Sequence, residues 1–98
     1  MHIQVPHKFG AQAAVERVKQ ALEQVKVNPQ VKDQLVIEKE EWEGNTLNFA
    51  FTGQGQHIKG TLVVEEKEFI VDAKLPLMLR MFEGRIEKMI GEQVKQML

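Results

Sequence analysis

The stretch Leu35–Leu75, LVIEKEEWEGNTLNFAFTGQGQHIKGTLVVEEKEFIVDAKL, decides the fold. Apolar and polar residues alternate through most of it, and a period of two marks half-buried strands. Leu35-Val36-Ile37 opens a strand that runs to about Trp42. Glu43-Gly44-Asn45-Thr46 reads as a tight hairpin, because Gly and Asn tolerate positive φ. The next strand points Leu47, Phe49 and Phe51 one way, and Thr52-Gly53-Gln54-Gly55-Gln56 turns the chain. A third strand sends Ile58, Leu62 and Val64 inward with Gly60 between them. Glu65-Glu66-Lys67 turns again, and a last strand sets Phe69, Val71, Ala73 and Leu75 on one face, Asp72 and Lys74 on the other. Parallel neighbours need long crossovers, so these short turns imply an antiparallel meander.

Helices flank the meander. Before it, Ala11, Ala14, Val15, Val18, Ala21, Leu22 and Val25 recur at three- and four-residue steps, while Glu16, Arg17, Lys19, Gln20 and Glu23 fall on the other side. Asn28-Pro29 stops this amphipathic helix, and Val18 and Leu22, central in its stripe, are expected to be buried on the sheet. Gln30 to Gln34 reads either as an extra turn or as a loop. His2 to Val5 alternates weakly, as a short edge strand ended by Pro6 would. After the meander, Pro76 starts a final helix whose expected buried stripe is Leu79, Phe82, Ile86, Met89, Ile90, Val94 and Met97. Gly84 and Gly91 weaken that helix, and close backbone packing would compensate. The order β-α-β-β-β-β-α defines a single α+β domain over residues 1–98, with an antiparallel sheet and two helices on one face.

Composition narrows the function classes. Lys and Arg number 13 against 14 Asp and Glu, a balance without the basic face that nucleic acid requires. There is no cysteine, which excludes disulfides and thiol chemistry. No stretch approaches the length of a transmembrane segment, and Met1 to Gly10 lacks a signal-peptide core, so a cytoplasmic location is expected.

Motifs that would carry chemistry are weak. Gly53-x-Gly55 lies between two strands, whereas a phosphate loop leads into a helix. His2, His7 and His57 lack metal-pair spacing. His57 should face outward, and His7 should contact the start of the first helix or be exposed, so replacing either with Ala should leave the fold nearly intact. The acidic run Glu38, Glu40, Glu41, Glu43 fits a solvated sheet edge better than a calcium loop. No catalytic residue, metal site or cofactor is expected. Trp42 breaks parity with Leu35 and Ile37, which implies a bulge or a ring at the sheet margin, and offers an aromatic wall to an apolar ligand. Leu77, Met78 and Met81 are apolar beyond what one helix stripe needs, and such surplus marks either packing on the first helix or a binding surface.

Val5-Pro6-His7, Ala14-Val15-Glu16-Arg17-Val18, Trp42-Glu43-Gly44-Asn45-Thr46-Leu47 and Leu75 through Ile90, with Gly84-Arg85-Ile86-Glu87, carry a resemblance over nearly the whole chain. The sequence resembles the small bacterial putative polyhydroxyalkanoic acid system proteins, encoded beside polyhydroxyalkanoate granule genes. The resemblance implies an intracellular accessory role near storage polyester and supplies no catalytic residues. The layout is also similar to a reduced helix-grip fold, an analogy that licenses no function. The leading expectation is a non-enzymatic protein that uses Trp42, Leu77, Met78 and Met81 to meet a granule surface, an acyl ligand or a partner protein. A structural homo-oligomer that buries the same patch, and a small helix-grip-like enzyme on acyl substrates, are the alternatives.

Overall fold

A computed structural model describes residues 1–31 and 33–97, with the side chains of residues 93, 94 and 97 outside the description. The elements run β1 (His2–Pro6), α1 (Ala11–Val27), β2 (Leu35–Glu43), β3 (Thr46–Gly53), β4 (Gln56–Val64), β5 (Glu68–Lys74), α2 (Leu77–Arg80) and α3 (Glu83–Met97). The five strands form one sheet in the order β1-β5-β4-β3-β2, every pair antiparallel. The first edge strand returns beside the last, and the other four form the expected meander.

Turn chemistry fixes the register. Gly44 takes φ 60° in the two-residue β2–β3 turn, as the first position of a II′ hairpin requires. Gln54 and Gly55 both take positive φ (52° and 78°) in the β3–β4 turn, the I′ pattern. Gly60 has a different reason to be glycine. A Cβ there would lie 2.1 Å from the Asp72 carbonyl oxygen and 2.7 Å from Ala73 Cα on the neighbouring strand.

The parity break at Trp42 has a visible cause. The β2–β3 register jumps between Ile37 and Lys39, a bulge that leaves Glu38 without a partner. It returns Glu40 and Trp42 to the face of Ile37, opposite Phe49 and Leu47. Trp42 then packs against the core of Ile3, Val5, Ala14, Val15, Val64 and Phe69. Lys19 of α1 lies 5.5 Å above its ring.

α1 crosses β2 and β4, and its start is held from a distance. Gly10 offers no side-chain cap, and the Glu66 carboxylate in the β4–β5 turn instead accepts from the Ala11 N–H at 3.1 Å. His7, only 4% exposed, anchors the same turn. Its backbone N–H donates to the Lys67 carbonyl at 2.8 Å. Its Nδ1 accepts the Phe9 N–H at 3.2 Å, which assigns the proton to Nε2, and Nε2 donates to the Glu65 carbonyl at 2.8 Å. The ring packs on Phe69, 4.5 Å between centroids. Of the two expectations for His7, exposure is corrected and contact at the helix start holds: the imidazole is a buried strut, bonded to the Phe9 N–H just before α1.

The helices cover less of the sheet than their stripes imply. Val18 and Leu22 are half-buried, not buried as expected, because α1 stands over a crevice. The expected last helix is two segments, broken at Met81 and Phe82. α3 meets the sheet at β1, the edge strand. Leu79, Ile86 and Ile90 are half-buried, but Phe82 and Met89 are exposed, which corrects the expected stripe. Val94 and Met97, its last two members, lie outside the described side chains. Gly84 and Gly91 have open space where a Cβ would stand, so close packing is not what places them. Between α1 and β2, residues 28–31 and 33–34 form tight turns, with Val31 N–H bonded to the Asn28 carbonyl and Leu35 N–H to that of Val31.

Gly60→Ala should cost about 3 kcal/mol or more, the upper end for overpacking, because its obstacle is backbone. A urea midpoint near that of the wild type would show that β4 and β5 separate easily. His7→Ala strands the Phe9 N–H and the Glu65 carbonyl and leaves a cavity, so it should cost roughly 2–4 kcal/mol. Chemical denaturation measures that loss directly, and a loss under about 1 kcal/mol, no more than an ordinary hydrogen bond, would remove the strut.

Candidate functional site

The segment that links sheet and last helix carries a run of exposed apolar side chains. Leu75 is buried at the end of the last strand, and Pro76 turns the chain away at φ -55°. Beyond Pro76 the chain has too little sheet beneath it. Leu77, Met78, Met81 and Phe82 are 78%, 71%, 85% and 49% exposed, and Met89 on α3 is 55% exposed. Only Leu79 in this turn is half-buried. Leu77, Met78 and Met81 thus share one short exposed segment. Trp42 stands apart from them, on β2 at the opposite edge of the sheet from β1 and beneath α1. The structure does not join the four residues into one surface.

A second apolar feature lies between α1 and the sheet. One lobe, of about 190 Å³, is floored by Leu62, Phe69 and Val71 and walled by Val18, Leu22 and Ile90. The adjoining lobe, of about 200 Å³, shares Val18, Leu22, Leu62 and Val71 and reaches Ile37, Phe49 and Phe51. The exposed lining of both is wholly apolar. Glu40 borders the second lobe, where Lys26 holds it at 2.7 Å. Glu40 and Glu23 hold the Lys26 ammonium above its ordinary pKa. Arg17 borders the first lobe with its guanidinium 4.8 Å from the centroid of the Phe9 ring.

Periodicity sets Arg17 on the wet side of its helix and gives no hint of this crevice. A signal was present, since the helix positions that could pair with Arg17 are Ala13, Ala14, Gln20 and Ala21, none of them acidic. The crevice itself left no trace in the periodicity, because Val18 and Leu22 have the same spacing whether or not they are fully packed.

The opposite face of the sheet is polar. His2 pairs with Asp72 across β1 and β5. His57 faces outward as expected, with Nδ1 3.0 Å from Glu38 Oε1 and 3.1 Å from Thr52 Oγ1. Thr52 donates its hydroxyl to Glu38. That bond, ahead of the contact with His57, holds the Glu38 carboxyl below its ordinary pKa. A depressed carboxyl stabilises the fold above its unfolded pKa, and the contribution disappears as pH falls through the lowered value. Among the described residues, no group of three His, Cys, Asp or Glu side chains could hold a metal ion. No described helix is long and apolar enough to cross a membrane.

A carboxyl NMR titration should therefore find Glu38 with a midpoint below the ordinary glutamate value of about 4.3. Thr52→Val should return it most of the way, since the hydroxyl is the main cause. An unchanged midpoint in that variant would transfer the effect to His57.

No curated protein and no solved structure matches the chain. The model of one family, described as putative polyhydroxyalkanoic acid system protein, matches residues 1–98. This match covers the Val5-Pro6-His7 strut, the Trp42–Leu47 hairpin and the exposed 77–82 segment alike. On that full-length match, the chain belongs to the putative polyhydroxyalkanoic acid system protein family.

Proposed function

We propose that the chain is a non-enzymatic accessory protein of polyester storage, acting inside the cell by laying the 77–82 segment on the apolar surface of a polyhydroxyalkanoate granule. The observation that carries this reading is the exposure of Leu77, Met78, Met81 and Phe82 in one short segment, in a family named for the polyester system. Isolated exposed apolar residues are ordinary, but a contiguous group of this size is a contact surface. Methionine suits an irregular polymer surface because its unbranched, polarizable chain adapts to many shapes.

Charge supports a polyester over an anionic bilayer. The 77–82 segment carries one cation, Arg80, and α3 balances Glu83, Glu87 and Glu92 against Arg85, Lys88 and Lys95, so neither forms the polybasic cluster that acidic headgroups recruit. A polyester surface presents ester and alkyl groups, for which apolar contact suffices. The non-enzymatic part of the reading is supported by the crevice, where Glu40, the one bordering carboxylate among the described residues, is already engaged by Lys26. A general base must be free to take a proton from substrate.

Co-sedimentation with purified polyhydroxyalkanoate granules tests the reading. Burying one such side chain is worth about 1.5–3 kcal/mol, roughly tenfold or more in affinity. Met78→Glu combined with Met81→Glu should leave the thermal melt within a few degrees of wild type and abolish sedimentation. Light scattering on both proteins identifies the rival outcome. A wild-type dimer that the double variant dissolves, with granule binding absent from the start, would assign the patch to self-association. Unfolding of the variant would make it ordinary core.

A further inference from the structure

The crevice beneath α1 combines an apolar interior with one guanidinium at its rim. Among the described residues, no carboxylate lies within ion-pair distance of Arg17, whereas the other charged side chains bordering the crevice have partners: Glu40 is held by Lys26 at 2.7 Å and Lys39 by Glu41 at 3.7 Å. Arg17 is exposed, yet its position is defined by stacking over Phe9, whose ring also lines the first lobe. A planar fork of donors, stacked on the Phe9 ring that borders a wholly apolar crevice, matches a carboxylate that carries a hydrocarbon chain.

We propose that the crevice binds a medium-chain alkyl monocarboxylate, with the carboxylate on Arg17 and the chain under Val18 and Leu22. Size agrees. An apolar protein cavity of about 150 Å³ accepts benzene. Lobes of about 190 and 200 Å³ that share Val18, Leu22, Leu62 and Val71 each offer room for a comparable number of carbons. A hydroxyl close to the carboxylate would sit at the wet rim, so fatty acids and 3-hydroxy acids both satisfy the chemistry. The choice between these sources rests on the polyester-storage reading, because hydroxy acids are the monomers of that polymer. The site itself does not.

Methyl NMR titrations with octanoate, 3-hydroxyoctanoate and 1-octanol, all below micellar concentrations, test the site. Octanoate should shift the methyl signals of Val18, Leu22, Leu62, Val71 and Ile90. Arg17→Gln should weaken octanoate about tenfold, the worth of a charge-assisted bond, and leave octanol unchanged. Val18→Phe should fill the first lobe and abolish both. Tighter binding of 3-hydroxyoctanoate than of octanoate would support the polyester monomer as the source, and the reverse would support a fatty acid. Absence of methyl shifts, or equal octanoate affinity in wild type and Arg17→Gln, overturns the proposal. The double variant at Met78 and Met81 should bind octanoate like wild type. Loss of granule sedimentation there with octanoate binding intact separates the two sites, and granule binding without carboxylate binding sinks only this one.

Discussion

The attachment of the first helix to the β4–β5 turn governs the rest of the molecule. Between Pro6 and Ala11 the chain must leave an edge strand and enter a helix that has no cap of its own. His7 and Glu66 solve this together. The imidazole satisfies a carbonyl of the turn and an N–H of the connection, and the carboxylate supplies the missing cap while facing the positive end of the helix dipole. With its start pinned there, α1 has to cross β4 and β2, and the β1 side of the sheet is left to α3.

That division leaves apolar surface uncovered in two places. α1 lies close enough to the sheet for Ala14 and Val15 to be fully buried near its pinned end, yet Val18 and Leu22 further along are not. α3 sits over the edge strand, so its Met89 and the preceding Phe82 have no sheet beneath them. The crevice and the exposed segment are thus complementary consequences of one geometry. An apolar sheet face needs continuous cover. This one has cover at one end from α1 and at one edge from α3.

The sequence made the sheet legible because its signals are local. Alternation located the strands, and glycine at positions of positive φ located the turns at Gly44 and Gly55. Even the bulge was visible, as a tryptophan on the wrong parity. The helices were legible as helices, but the extent of their docking was not. Periodicity gives the face a helix would bury and says nothing about whether a surface lies opposite, so it assigns Phe82 and Met89 to a core they do not reach. The burial of His7 is illegible for a related reason. Its partner carbonyl belongs to Glu65, 58 residues away, and no neighbour in sequence announces it. For the candidate site, the surplus of Leu77, Met78 and Met81 was readable as composition, while the crevice and the placement of Arg17 at its rim depend on how α1 crosses the sheet.

The bulge in β2 does more than restore Trp42 to the core. Glu38, out of the ladder, lies on the polar face beside Thr52 and His57, and the shift in parity puts another carboxylate, Glu40, on the apolar face. A carboxylate on that face would be costly alone. Lys26 from α1 neutralises it, and the aliphatic stem of a lysine can lie along apolar surface while its ammonium reaches the acid. The same register shift therefore ties the far end of α1 to β2, as His7 and Glu66 tie its near end to the β4–β5 turn. A helix held by polar contacts at both ends does not have to fill the space beneath its middle, and the crevice lies under that middle.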